Sequence, residues 1–156
     1  MSFFQAKEYL KKFNLENRIM EFDKSSATVE EASIAIGCKA EEIAKSLTFL
    51  VNEKPILIVV SGASKIDNAK FKAEFQTKAK MLSFDCVENL IGHAVGGVCP
   101  FGINENVEVY LDISLKKFDT IYPACGSSNS AVKLTLKELE ETINFKKWVD
   151  VCKELN

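Results

Sequence analysis

The chain has 156 residues, a formal net charge of −2 and a composition that is 47% apolar and 27% charged. A chain of this size can bury roughly 70% of its unfolded surface, so one globular domain over residues 1–156 is expected. The acidic balance argues against indiscriminate duplex binding driven by overall charge, while leaving room for a local basic patch. No apolar run is long enough for a membrane span. The N-terminus lacks the basic flank and apolar stretch of a signal peptide, so a cytoplasmic protein without a membrane partner is expected. Five scattered cysteines (Cys38, Cys86, Cys99, Cys125, Cys152) form no C-x-x-C pair, and there is a single histidine. Reduced thiols are expected, with no metal and no cofactor.

In chain order, Phe4, Ala6, Tyr9, Leu10 and Phe13 fall at helical spacing with lysines opposite, which predicts a first amphipathic helix. Residues 18–22 alternate as a short strand. Thr28-x-x-Glu31 is a capping box that opens a helix, and Gly37 closes it. One helical turn over residues 39–44 leads into Lys45-Ser46-Leu47-Thr48-Phe49-Leu50-Val51, which pairs with Ile56-Leu57-Ile58-Val59-Val60 as an antiparallel hairpin. Ser61 to Ser64 reads as a loop, and Asp67 caps a helix to about Phe75. Residues 80–84 read as a strand and Asp85 opens a short helix to Ile91. A strand over 107–112, a helical turn at 115–118 and strands over 120–125 and 131–134 follow. Thr135-x-x-Glu138 is a second capping box, opening a helix to about Ile143. An amphipathic helical turn or two is expected around Phe145, Trp148, Val149 and Cys152. Strands and helices are interleaved with hairpin-length turns, which predicts a mixed α/β, α+β-like domain.

The stretch from Gly92 to Gly102 holds four of the seven glycines, the only histidine and one of three prolines. It is too bare to fill a core. Its backbone can approach a ligand closely, and Pro100 fixes φ there and removes a donor. It lacks the order of a dinucleotide fingerprint and the Gly-Lys-Ser/Thr of a phosphate loop. An ordinary surface turn is the alternative.

Lys45 is the most informative charge. If the strand includes it, Lys45 shares a face with Leu47, Phe49 and Val51. A lysine there is costly without an anionic partner. If the helix extends that far, it merely complements a helix C-terminus. His93 and Cys99 invite a thiol nucleophile with a base, but no acidic residue orients the histidine. Residues 65–80 carry Lys65, Lys70, Lys72, Lys78 and Lys80 against Asp67 and Glu74. They form either a solvated helix face or a phosphate-contacting patch.

Three segments occur in order: Glu42-Ile43-Ala44-Lys45-Ser46-Leu47-Thr48-Phe49, Val95-Gly96-Gly97-Val98-Cys99-Pro100-Phe101-Gly102 and Tyr122-Pro123-Ala124-Cys125-Gly126-Ser127-Ser128-Asn129. Together they resemble the YbaK/EbsC-type aminoacyl-tRNA deacylases, relatives of the editing insertion domain of bacterial prolyl-tRNA synthetase. The resemblance implies a curved, barrel-like mixed sheet surrounded by helices. It implies hydrolysis, in trans, of tRNA carrying the wrong amino acid, with a small residue such as Ala or Cys on tRNA(Pro) the first expectation. The partners it implies are the acceptor end of mischarged tRNA and, as a synthetase partner, prolyl-tRNA synthetase. By resemblance, Lys45 contacts the 3′-terminal nucleotide, and the main chain between Gly96 and Pro100 holds the ester and places water. Gly97, Val98, Cys99, Phe101 and His93 then line the substrate site, and Gly126, Ser127 and Asn129 close it. His93, Cys99 and Cys125 depart from the residues common in the family and bear on amino-acid specificity. A non-catalytic module binding tRNA ends or a synthetase is the alternative, and a thiol-based hydrolase a third.

Overall fold

The structure is a computed structural model that describes residues 2–154. Helix α1 (Ser2–Lys11) is followed by strand β1 (Ile19–Glu21) and helix α2 (Val29–Ile36). Both signals around α2 act as the sequence predicts: Thr28 and Glu31 form a reciprocal capping box, and Gly37 ends the helix at φ +82°. A 3₁₀ turn at Ala40–Glu42 then feeds β2 (Ile43–Val51), whose hairpin partner is β3 (Lys54–Ser61). The connecting residues Asn52 and Glu53 both have positive φ, the twist that a two-residue hairpin turn requires. Strand β4 (Ser64–Ile66), helix α3 (Asn68–Phe75) and helix α4 (Phe84–Ile91) come next. After the glycine stretch come β5 (Glu108–Asp112), β6 (Thr120–Pro123), β7 (Ser130–Val132), β8 (Leu134–Thr135), α5 (Leu136–Thr142), β9 (Trp148–Val149) and β10 (Cys152–Glu154).

Six strands form a mixed sheet in the order β8-β6-β2-β3-β5-β9, with β1-β7 and β4-β10 as separate antiparallel pairs. This is the mixed α/β domain that the sequence predicts, with the curved sheet that the resemblance implies. Strand β3 is central and buried on both faces, which explains its unbroken apolar run. Its two faces serve two cores. Leu57 and Val59 join Val109, Leu111 and Ile121 against Ala6 and Leu10 of α1 and Val87 and Ile91 of α4. Ile56, Ile58 and Val60 join Phe49 against Phe71 and Phe75 of α3. The rings of Phe49, Phe71 and Phe75 stack in series, with centroids 4.9 and 4.7 Å apart.

The structure corrects three expectations. Phe4 and Phe13 lie outside the core, and α1 buries only Ala6 and Leu10, with Tyr9 half-buried. The helix ends at Lys11, before Phe13. Residues 80–84 are not a strand: Met81 makes one bridge to Phe49, and α4 already begins at Phe84. The C-terminal segment forms strands, not helical turns, because β10 finds an antiparallel partner in β4, which begins at the end of the expected 61–64 loop. Neither edge is visible from local pattern, since each strand has three residues.

Candidate functional site

The site begins with an interruption in the sheet. Strand β6 pairs with β2 only at Ile43 and Ala44. Further along, a strap from α3 to α4 covers the same edge: Leu50 N–H donates to Lys80 O at 2.9 Å, and Leu82 N–H donates to Thr48 O at 3.2 Å. The even-numbered residues of β2 therefore turn their backbone polar groups outward. By that alternation the N–H and C=O of Ser46 fall in the gap, where no strand covers them. A cavity of about 380 Å³ opens there. Its walls include Lys45 to Thr48 of β2, Thr28 at the cap of α2 with Val29 and Ala32, Met81 and Leu82 of the strap with Phe84 at the start of α4, and Gly96 and Val98 of the glycine loop. Tyr122, Ala124, Ser130 and Ala131 line it as well.

Lys45 is the third residue of β2, opposite Val60, so the strand reading of this residue applies and the helix-end reading does not. It is half-buried and, among the described residues, has no carboxylate within ion-pair distance. Burial lowers its pKa. The neighbouring Cys152 thiol is itself pushed up to about 12, first by burial and then by Asp112, so it carries no compensating charge at neutral pH. Beside it, the Ser46 hydroxyl is buried with no hydrogen-bond partner. The cavity thus presents a cation, a hydroxyl and a free strand edge within otherwise apolar walls.

The glycine loop is held by two close approaches. Gly97 N–H donates to Ala94 O at 3.1 Å, and Gly126 N–H donates to Gly97 O at 2.9 Å. A side chain on Gly97 would put its Cβ 2.5 Å from the Gly126 carbonyl carbon, so only glycine lets the loops touch. Gly96 holds φ +96° at the cavity wall. The 126–130 loop is anchored in turn: Asn129 Nδ2 donates to Phe22 O at 3.0 Å, Phe22 N–H donates to Asn129 O at 2.8 Å, and Ser127 donates to Asn129 Oδ1 at 3.0 Å.

Of the residues singled out in the sequence, Lys45, Gly96 and Val98 line the cavity. Gly97, Cys99, Pro100, Phe101, His93, Gly126, Ser127 and Asn129 do not line it; most of them are buried in the loops that flank it, while Asn129 is exposed. His93, Cys99 and Phe101 are fully buried. His93 Nε2 lies 2.6 Å from Phe101 O and 3.5 Å from Cys99 Sγ. A carbonyl only accepts, so Nε2 carries the hydrogen and has no lone pair for the thiol. Burial lowers the His93 pKa and drives the Cys99 thiol far up. This pair is a packed internal contact with no activated nucleophile. Sequence reasoning passed over Ser46, Tyr122, Ser130, Met81 and Phe84. Only Ser46 carried a signal, as the polar neighbour of Lys45 on a largely apolar strand.

A model of the aminoacyl-tRNA editing domain matches residues 23–142. The chain belongs to the aminoacyl-tRNA editing domain family. The match covers every cavity wall named above, from α2 to β7. This editing domain is 50% identical over 99% of its length to the uncharacterized protein YwhH of Bacillus subtilis (strain 168), of which it covers 99%. It is 26% identical to a proline–tRNA ligase of Bacillus cereus (strain AH820) over 65% of the chain, which spans 18% of that ligase. Among solved structures, a candidate trans-editing enzyme for prolyl tRNA synthetase superposes with a TM-score of 0.86 at 27% identity, covering 97% of each chain. Within the editing domain, the free edge of β2 and the glycine loop face one another across the cavity. The second glycine loop sets the position of the first.

Proposed function

We propose that this editing domain hydrolyses, in trans, the ester linking a wrong amino acid to the 3′ end of a tRNA. The first substrates to test are tRNA(Pro) charged with alanine or cysteine. The observation that carries this reading is Lys45: a half-buried cation on the wall of a cavity, with no anion among the described residues. A terminal phosphate of the tRNA supplies the missing charge, and its binding reverses the downward shift that burial imposes.

In this reading the amino-acid side chain occupies the apolar part of the cavity, near Val29, Leu82 and Val98. The Ser46 amide and the backbone from Gly96 orient the ester and stabilise the oxyanion. A single donor of that kind contributes about 2.7–4 kcal/mol to the transition state. Among the described residues lining the cavity there is no carboxylate or imidazole. Water must then be activated by backbone groups and by the substrate's own hydroxyl or amine, which an activated ester permits. Pro100 acts from behind the wall by fixing the loop, without touching substrate.

The lack of a base among those lining residues also fits a module that binds tRNA ends or prolyl-tRNA synthetase without turnover. Release of amino acid from purified Ala-tRNA(Pro) and Cys-tRNA(Pro), followed over a panel of other mischarged tRNAs, separates the two. Hydrolysis that disappears in Lys45→Ala, with circular dichroism unchanged, supports the enzyme. Retained binding with no hydrolysis of any substrate supports the module.

A further inference from the structure

The strap over the edge of β2 carries its wall of the cavity out to the surface. It reads Lys78-Ala79-Lys80-Met81-Leu82-Ser83-Phe84. Ala79 packs on the α3 core and Leu82 on the other core, which fixes the strap against the sheet. Met81 and Phe84 are left 60% and 74% exposed, and both line the cavity mouth. An aromatic ring this exposed gains little from packing, so its position at the entrance calls for a different occupant.

The charge of α3 and the strap is mainly basic. Lys70 is tied to Asp150 at 3.1 Å. Lys72, Lys78 and Lys80 are exposed and without an ion pair among the described residues. Lys72 and Lys78 share a groove of about 430 Å³ with Ala79. Of the acids of this region, Asp67 caps α3 through the amides of Ala69 and Lys70 and Glu74 pairs with Lys147 at 2.6 Å, while Glu88, one turn beyond Phe84 on α4, is exposed and without an ion pair among the described residues. Asp85 sits in the first turn of α4, where it complements the helix dipole. A net-acidic protein therefore has free cations running up to an exposed aromatic at the mouth of its cavity.

We infer that the strap is a landing surface for single-stranded RNA: Phe84, with Met81 beside it, stacks a base of the 3′ tail, and Lys78 and Lys80 contact the preceding phosphates. Alternating cation and stacking platform is the chemistry that holds unpaired nucleic acid. An apolar protein face would leave the lysines uncompensated, and a duplex has no free base to offer Phe84. The identity of the RNA rests on the editing reading; the binding surface can be tested without turnover.

The test uses a fluorescent hairpin RNA with an unpaired CCA tail and the same hairpin without the tail, both uncharged. The tailed hairpin is expected to bind more tightly. Phe84→Ala should lose on the order of ten-fold in affinity for the tailed hairpin and nothing for the blunt one. Phe84→Tyr should restore binding, and Phe4→Ala, a similarly exposed ring on α1, should leave it unchanged. The Lys78→Ala/Lys80→Ala pair should flatten the salt dependence by about 1.4 in slope, as expected for two single-strand phosphates. No advantage from the tail, an indifferent Phe84→Ala, or an unchanged salt slope overturns the inference. Deacylation is measured in parallel. An inactive wild type whose tail binding still depends on Phe84 sinks the enzyme and keeps the surface. An active wild type with tail binding indifferent to Phe84 does the reverse.

Discussion

At the level of single residues, half-buried Lys45 and fully buried His93 are both ionisable groups withdrawn from water, but their surroundings give them opposite meanings. Lys45 has its charge held in a cavity with no anion nearby among the described residues, and burial lowers its pKa. A depressed lysine pKa means that the cation opposes folding at neutral pH, since the unfolded chain holds the proton more tightly. Lys45→Met keeps the apolar stem and removes the charge. Its thermal midpoint should equal or exceed that of the wild type while deacylation is lost. A midpoint several degrees lower would mean that Lys45 serves the fold. His93 is neutral in the folded state because burial lowers its pKa from 6.5. Its contribution is therefore present above that value and lost as pH falls towards the folded pKa. Urea midpoints should drop less between about pH 7 and pH 5 in His93→Gln than in the wild type, since glutamine does not titrate but can still donate to Phe101 O.

At the scale of elements, two glycine loops are positioned by each other. Gly97 is read in the sequence as a ligand-facing residue, but its missing side chain is required by the neighbouring loop, not by substrate. Gly97→Ala forces the backbones of Gly97 and Gly126 apart and breaks the hydrogen bond between them. The expected cost is about 1–3 kcal/mol in unfolding free energy, with a fall in kcat as the wall at Gly96 moves. Unchanged stability and kinetics would show that the loops can separate freely. The capping boxes of α2 and α5 are local in origin, so sequence reasoning finds them with the right partners three residues apart. Strands β4 and β10 are the opposite case. Each is three residues long, and they become strands only because the fold brings residues 64–66 beside 152–154.

For the molecule as a whole, the two cores on either side of β3 divide the work. One carries α1, α4 and the glycine loop, with Cys99 and Phe101 in its interior. The other carries α3 and the Phe49–Phe71–Phe75 stack. Phe71→Ala should cost about 3–5 kcal/mol, with deacylation per folded molecule retained because Phe71 lies outside the cavity wall. A variant that stays folded yet loses turnover would tie the α3 core to the site directly. Among the described residues, no helix is long and apolar enough to cross a membrane.

The sequence alone determined what depends on near neighbours. Helix caps, the β2–β3 hairpin and the apolar run of β3 all follow from spacing over a few residues, whereas the choice between strand and helix end for Lys45 was left to the structure. The same short-range pattern exposed the Lys-Gly-Pro series that led to the family. Tertiary structure decided what depends on distant segments meeting. It left the edge of β2 open at Ser46, brought Gly97 against Gly126 and placed the Phe84 ring at the cavity mouth. It also enclosed His93 and Cys99, which had looked like chemistry, in the core. Burial and an unpaired strand edge are set by which surfaces come together, and no local sequence pattern records that.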